Sequence, residues 1–183
     1  MVEGQFLELE HTHDWNISKT EYVEIITAKT AALMGAACSS GALVSGADAA
    51  TLRRLGDFGL NLGIDFQLMD DTLDYVSAEE ELGKTIGKDL SEGKITLPLI
   101  HTLRTCAPED KDFLVQVIRN PKGREADLIN VLDLIQKSSG IDYTIRQAES
   151  FAAKATSALD GFPAGPEKEA LLTLARYTIQ RKK

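Results

Sequence analysis

From Ala49 to Tyr75 apolar residues return at helical spacing without a break: Leu52, Leu55, Gly59, Leu62, Phe66, Met69 and Leu73 define one stripe. A helix of that length is held by packing rather than by propensity, so it needs other helices against which to bury its stripe. The rest of the chain supplies them. Residues 1–12 read as the end of a helix. Ser18 followed by Glu21 is a capping box opening a helix that runs to about Val44, with Ile25, Ile26, Ala32, Leu33 and Ala36 on its buried face. Gly46 and Asp48 separate it from the helix beginning at Ala49. Residues 77–93 hold three glycines and both charge signs, and read as a loop.

Helix resumes in ITLPLIHTLRT, where Pro98 is tolerated in the first turn. Pro108 starts another, broken by Asn120-Pro121-Lys122-Gly123. Leu128, Val131, Leu132 and Ile135 mark a further helix, closed by Ser138-Ser139-Gly140, and two more cover about 141–159 and 167–180. No strand-like alternation and no internal repeat is visible. The expected fold class is all-α, a helical bundle.

Charge and cysteine usage narrow the function. A formal charge of −8 argues against a nucleic-acid footprint. No apolar run approaches the roughly 20 residues of a membrane span, and no secretory leader opens the chain. Cys38 and Cys106 lie far apart, match no zinc spacing and suit free thiols in a reducing, cytoplasmic setting. The opening MVEGQFLELE already reads as helix without a cap, a first hint of truncation.

On the helix from Ala49, Gln67, Asp70 and Asp74 fall on a strip beside the apolar stripe, with Asp71 just beyond. Carboxylates this close repel one another by several tenths of a kcal/mol per i,i+4 pair. Hard dications bound through oxygen would offset that, since Mg²⁺ takes one or two carboxylates and fills its other positions with water and phosphate oxygens. A solvated acidic face satisfies the same pattern. An EF-hand does not: its sixth position, counted from Asp70, is Tyr75 where glycine is needed.

Two adjacent segments carry a resemblance. GIDFQLMDDTLDY, residues 63–75, closely resembles the second aspartate-rich motif of the trans-prenyl diphosphate synthases, G-x-x-F-Q-x-x-D-D-x-x-D. GKTIGKDLSEGKITLPLI, residues 83–100, resembles that family's loop and next helix. The resemblance implies the class I isoprenoid synthase fold and a prenyltransferase that condenses isopentenyl diphosphate with an allylic prenyl diphosphate. It also implies Mg²⁺ bound through Asp70, Asp71, Asp74 and the substrate diphosphate. Lys29-Thr30 matches a pair that reaches the allylic diphosphate; on pattern alone, Lys29 in its apolar stripe reads as a snorkelling lysine. Lys84 matches a loop lysine that closes over the diphosphate, and Lys94 one that lines the same region. Gln67 and Thr30 would orient the leaving group, and Gly4-Gln5 resembles a motif whose polar residue approaches the allylic substrate. The implied catalytic set is thus Lys29, Thr30, Gln67 and Lys84, with Gln5 and Lys94 added for substrate binding. His11 and His13 read as an exposed helix-end pair, Trp15 as packing, and Arg181-Lys182-Lys183 as a solvated tail.

The departure from the family pattern is large. Residues 1–62 hold neither an earlier aspartate cluster nor an arginine pair beside one, and Arg53-Arg54 lies in the wrong place. The match therefore implies that residues 1–183 are the C-terminal part of a single polyprenyl synthetase domain, a truncated chain inactive alone. The alternative is a non-catalytic subunit of a hetero-oligomeric synthase, although such subunits tend to lose the motif's aspartates. Half of a terpene synthase, which uses a different second metal motif, and a helical scaffold with an acidic surface are further readings. Overall similarity leans towards bacterial long-chain, octaprenyl-type enzymes, whose complete form is expected to be a homodimer releasing a product able to associate with membranes.

Overall fold

The capping box is present at Ser18. Its hydroxyl accepts from the Glu21 backbone N–H at 3.2 Å, and the Glu21 carboxylate accepts from the Ser18 N–H at 2.7 Å. This is one feature of a computed structural model that describes residues 1–76, 87–120 and 125–180. Among the described residues all regular structure is helical: α1 (Val2–Glu10), α2 (Lys19–Ile26), a π turn (Thr27–Ala31), α3 (Ala32–Val44), α4 (Ala49–Val76), α5 (Lys88–Ser91), α6 (Leu97–Thr105), α7 (Pro108–Arg119), α8 (Glu125–Lys137), α9 (Gly140–Ala158) and α10 (Pro166–Gln180). Pro98 and Pro108 sit in the first turns of α6 and α7, where the missing N–H has no helical partner to lose. Residues 77–86 of the expected loop, and with them Lys84, lie outside the described residues, as do 121–124 of the Asn120 break and the basic tail 181–183. The end of that loop is not all irregular, since α5 occupies Lys88–Ser91.

The expected helix 18–44 is interrupted. Across the π turn the buried series runs Tyr22, Ile26, Ala31, Gly35 and Ala42, with a single five-residue step between Ile26 and Ala31. An i→i+5 turn inserts one residue and rotates everything after it. Ala32 and Ala36 are therefore exposed, and Leu33 is 54 % exposed, contrary to the face read from an unbroken helix. Ile25 and Ile26, which precede the turn, are buried as expected.

α4 runs through the centre, with α3 along one side, α9 along another, and the π turn and α10 on further faces. Helices on several sides leave it no single apolar stripe. Phe58, Leu62, Ile64, Leu68, Met69, Thr72 and Tyr75 are all buried. Of the expected stripe, Leu52, Leu55, Phe66 and Leu73 are only half-buried. The contact with the π turn is close: a Cβ on Gly63 would stand 2.5 Å from Ala31 Cα. The larger core joins Ile17, Tyr22, Leu68, Leu97, Leu99 and Ile135, and a smaller one joins Phe58, Leu62, Ala155, Leu159 and Ala175. No described helix is long and apolar enough to cross a membrane.

Candidate functional site

The π turn and α4 meet through one hydrogen-bonded chain. Thr30 Oγ1 donates to Gln67 Oε1 at 2.9 Å, Gln67 Nε2 donates to Asp71 Oδ1 at 2.7 Å, and Tyr22 Oη donates to Asp71 Oδ2 at 2.5 Å. The last two bonds hold both oxygens of a carboxylate that is only 6 % exposed. Asp71, placed by the helical wheel just beyond the strip of Gln67, Asp70 and Asp74, is thus an inward-facing group. Its immediate neighbour Asp70 is exposed. Asp74 Oδ2 accepts from the Asp89 backbone N–H at 3.1 Å, which ties the start of α5 to the end of α4.

A cavity of about 120 Å³ opens beside this chain. Ile17, Ile25, Ile26 and Ile95 give it apolar walls. Glu8, Lys29, Gln67, Asp70, Asp71, Asp89 and Lys94 give it polar ones. Both lysines are already paired: Lys29 Nζ stands 2.6 Å from Glu8 Oε1, and Lys94 Nζ stands 2.6 Å from Glu92 Oε2 and 3.4 Å from Asp89 Oδ1. Gln5 is exposed and donates to the other Glu8 oxygen at 3.2 Å, so it meets the cavity only through Glu8. Thr30 likewise bonds Gln67 and is not among the described residues of the wall.

The carboxylates crowd one another. Burial, with the nearby charges of Asp89 and Asp70, pushes Asp71 up to about 7 against the opposing hydrogen bonds from Tyr22 and Gln67. Burial and Asp89 push Asp74 up to about 6 against the N–H groups of Asp89 and Lys88. Burial also raises Asp89, with Lys94 opposing. Carboxyl groups held above their ordinary range are short of positive charge. Among the described residues no three His, Cys, Asp or Glu side chains converge on one metal position. Mg²⁺ does not need three, because it takes one or two carboxylates and completes its shell with water and phosphate oxygens. The donor set fits a hard dication.

Several site residues escaped the sequence reading. Tyr22 stands three, four and seven residues before Ile25, Ile26 and Lys29, a helical series that could have placed it on the same face. Glu8 stands one turn after Gly4, in the short Gly4-Gln5 motif. His11, expected to be exposed, is half-buried, lines the cavity and bonds Asp14 at 2.9 Å; His13 is exposed as expected.

An all-α bundle with lysines and aspartates around one cavity between its helices has the architecture of the isoprenoid synthases. Comparison with known proteins makes this specific. The polyprenyl synthetase family profile matches residues 1–135, and the chain belongs to that family. It is 38 % identical over 181 residues to octaprenyl diphosphate synthase of Escherichia coli, covering 99 % of this chain and 56 % of that protein. It is 37 % identical over 183 residues to geranylgeranyl diphosphate synthase of Sulfolobus acidocaldarius, covering 99 % of this chain and 55 % of that one. A crystal structure of polyprenyl synthase from Caulobacter crescentus CB15, complexed with calcium and isoprenyl diphosphate, superposes with a TM-score of 0.93 at 43 % identity, covering 100 % of this chain and 56 % of its own. The chain thus spans about half the length of the relatives it matches.

Proposed function

We propose that this chain carries one metal-and-diphosphate half-site of a trans-polyprenyl diphosphate synthase, a prenyltransferase that condenses isopentenyl diphosphate with an allylic prenyl diphosphate. The observation that carries the reading is that Asp70, Asp71, Gln67, Lys29 and Lys94 all line one and the same cavity. Asp70, Asp71 and Asp74 would hold Mg²⁺, which supplies positive charge to the oxygens of the departing diphosphate. Lys29 and Lys94 neutralise the leaving group directly, with Lys84 as a third cation in the same role. Gln67, oriented by Thr30, offers its amide to the same oxygens, and Gln5 acts through Glu8. The isoleucine walls exclude water from the reacting carbon chain.

All three motif aspartates are present, which weighs against a non-catalytic subunit. In the same reading residues 1–183 form part of one polyprenyl synthetase domain, and the complete enzyme is a cytoplasmic homodimer whose product can enter membranes. The two free cysteines support a reducing compartment.

Calorimetric titration of pyrophosphate into the chain, with and without Mg²⁺ and repeated with Asp70→Ala, tests the half-site. Mg²⁺-dependent binding that the variant loses is expected. Binding indifferent to both the metal and Asp70 would refute the reading.

A further inference from the structure

The wall of the cavity is more acidic than a pocket for a bare anion should be. Among the described residues four carboxylates (Glu8, Asp70, Asp71 and Asp89) face two ammonium groups (Lys29 and Lys94). Each ammonium group is already engaged by an acid, Lys29 by Glu8 and Lys94 by Glu92 and Asp89. The Glu8 pair is built rather than incidental. Gly4 lies against the π turn so tightly that a Cβ there would stand 2.2 Å from Lys29 N, and glycine alone allows this approach. Glu8, four residues further on, is on the same face of α1 and so comes to the Lys29 side chain. Gln5 holds one Glu8 oxygen, leaving the other 2.6 Å from Lys29 Nζ. The pair is only partly accessible, with the Lys29 and Glu8 side chains 28 % and 16 % exposed, so water screens it incompletely.

We infer that Glu8 is a specificity-determining residue that masks Lys29, so that the cavity discriminates against free diphosphate and accepts the diphosphate only as its divalent-metal complex. The inference rests on the half-site reading above and deepens it. A bare diphosphate entering this wall meets more negative than positive charge, and must displace Glu8 to reach the Lys29 ammonium. A metal-complexed diphosphate brings its own cations to the aspartates, and their charge offsets the cost of drawing Lys29 away from Glu8. Glu8 also reaches beyond Lys29: burial alone would lower the pKa of Lys94, but Glu92, Asp89 and Glu8 together hold it above the ordinary lysine range. Glu8 and both lysines line the same cavity.

The test is pyrophosphate titration of the 183-residue chain with and without Mg²⁺, comparing wild type with Glu8→Gln. Gln keeps the shape, the helix propensity and an oxygen for Gln5. Removing one member of a charge-assisted pair should raise metal-free pyrophosphate affinity about tenfold. The affinity with Mg²⁺ should change far less, so the ratio between the two conditions collapses. The double variant Glu8→Gln with Lys29→Gln should lose the gain, because the gain comes from the unmasked ammonium. Glu8→Asp, which keeps the charge but shortens its reach, should fall between wild type and Glu8→Gln. An unchanged metal-free affinity in Glu8→Gln, or a gain that survives loss of Lys29, overturns the inference. A wild-type chain that binds pyrophosphate in neither condition refutes the half-site reading and the inference with it, whereas Mg²⁺-dependent binding without a metal-free gain in Glu8→Gln overturns the inference alone.

Discussion

Tyr22 and Asp71 are 49 positions apart in sequence and share a buried hydrogen bond of 2.5 Å between the tyrosine hydroxyl and a carboxylate oxygen. The bond joins α2 to α4 in the wall of the cavity. With the Gln67 amide on its other oxygen, Asp71 has a partner on each side, so its orientation is fixed before any ligand arrives. A prearranged carboxylate would lose little freedom on holding the metal of the proposed half-site.

Tyr22→Phe removes that donor and leaves a buried carboxylate oxygen without it. The expected cost is about 1–3 kcal/mol of stability, read as a lowered Tm. Phe fills the same volume, so the loss is of the bond and not of packing. Metal-dependent pyrophosphate affinity should fall as well, because Asp71 is then free to turn. A variant with unchanged Tm and unchanged affinity would show that the bond matters to neither.

Stability should also depend on pH through the same carboxylate. Asp71 sits at about 7 in the folded chain, against an ordinary value of 3.8. The folded state therefore binds its proton more tightly than the unfolded state does. Its contribution to stability is complete below about 4 and is lost as pH rises through about 7. Asp74, at about 6, acts in the same direction over a narrower window. Thermal melts of wild type should lose Tm between these limits, and Asp71→Asn, which cannot titrate, should lose less. Parallel curves for the two proteins would exclude Asp71 as the source.

Much of this was legible in the sequence, and the failures have physical causes. The capping box at Ser18, the prolines at the starts of α6 and α7, and the Ala49 helix are local signals, and the structure contains all of them. The π turn is different. Nothing in Thr27–Ala31 marks an inserted residue, because the extra turn answers to packing against α1 and α4, and neither is visible in a local window. The face assigned to Ala32, Leu33 and Ala36 failed for that reason. The burial of Asp71 was not legible for a related reason: a helical wheel locates a residue on its own helix, but only the neighbouring Tyr22 turns that position into an interior one. Glu8 was hidden because its meaning depends on how closely Gly4 lets α1 approach Lys29.

Gly4→Ala tests that approach. Alanine favours helix over glycine by about 1 kcal/mol. Its Cβ, however, would lie 2.2 Å from Lys29 N and 2.6 Å from Ala28 C, both backbone atoms that cannot swing aside. Overpacking of this kind costs about 1–3 kcal/mol or more, so the clash outweighs the helix gain. The expected result is a lower Tm, with α1 displaced from the π turn. A rise in Tm would mean that α1 does not hold this position in solution.

Thr30→Val asks whether Thr30 works through Gln67. Valine matches threonine in shape and nearly in helix propensity, so the fold should survive. What changes is one end of a relay: Gln67 Oε1 loses the donor at 2.9 Å, while its amide nitrogen still faces Asp71. With that end loose the amide can rotate, and under the proposed reading the N–H that it offers to diphosphate oxygens loses its orientation. Metal-dependent pyrophosphate affinity should drop, and Thr30→Ser, which restores the hydroxyl, should recover it. Adding Gln67→Ala to Thr30→Val should then cost little more than Gln67→Ala alone, a coupling of about 0.5–3 kcal/mol in a double-mutant cycle. Strictly additive losses would mean that Thr30 touches the ligand itself, and the relay would have to be redrawn with two independent contacts.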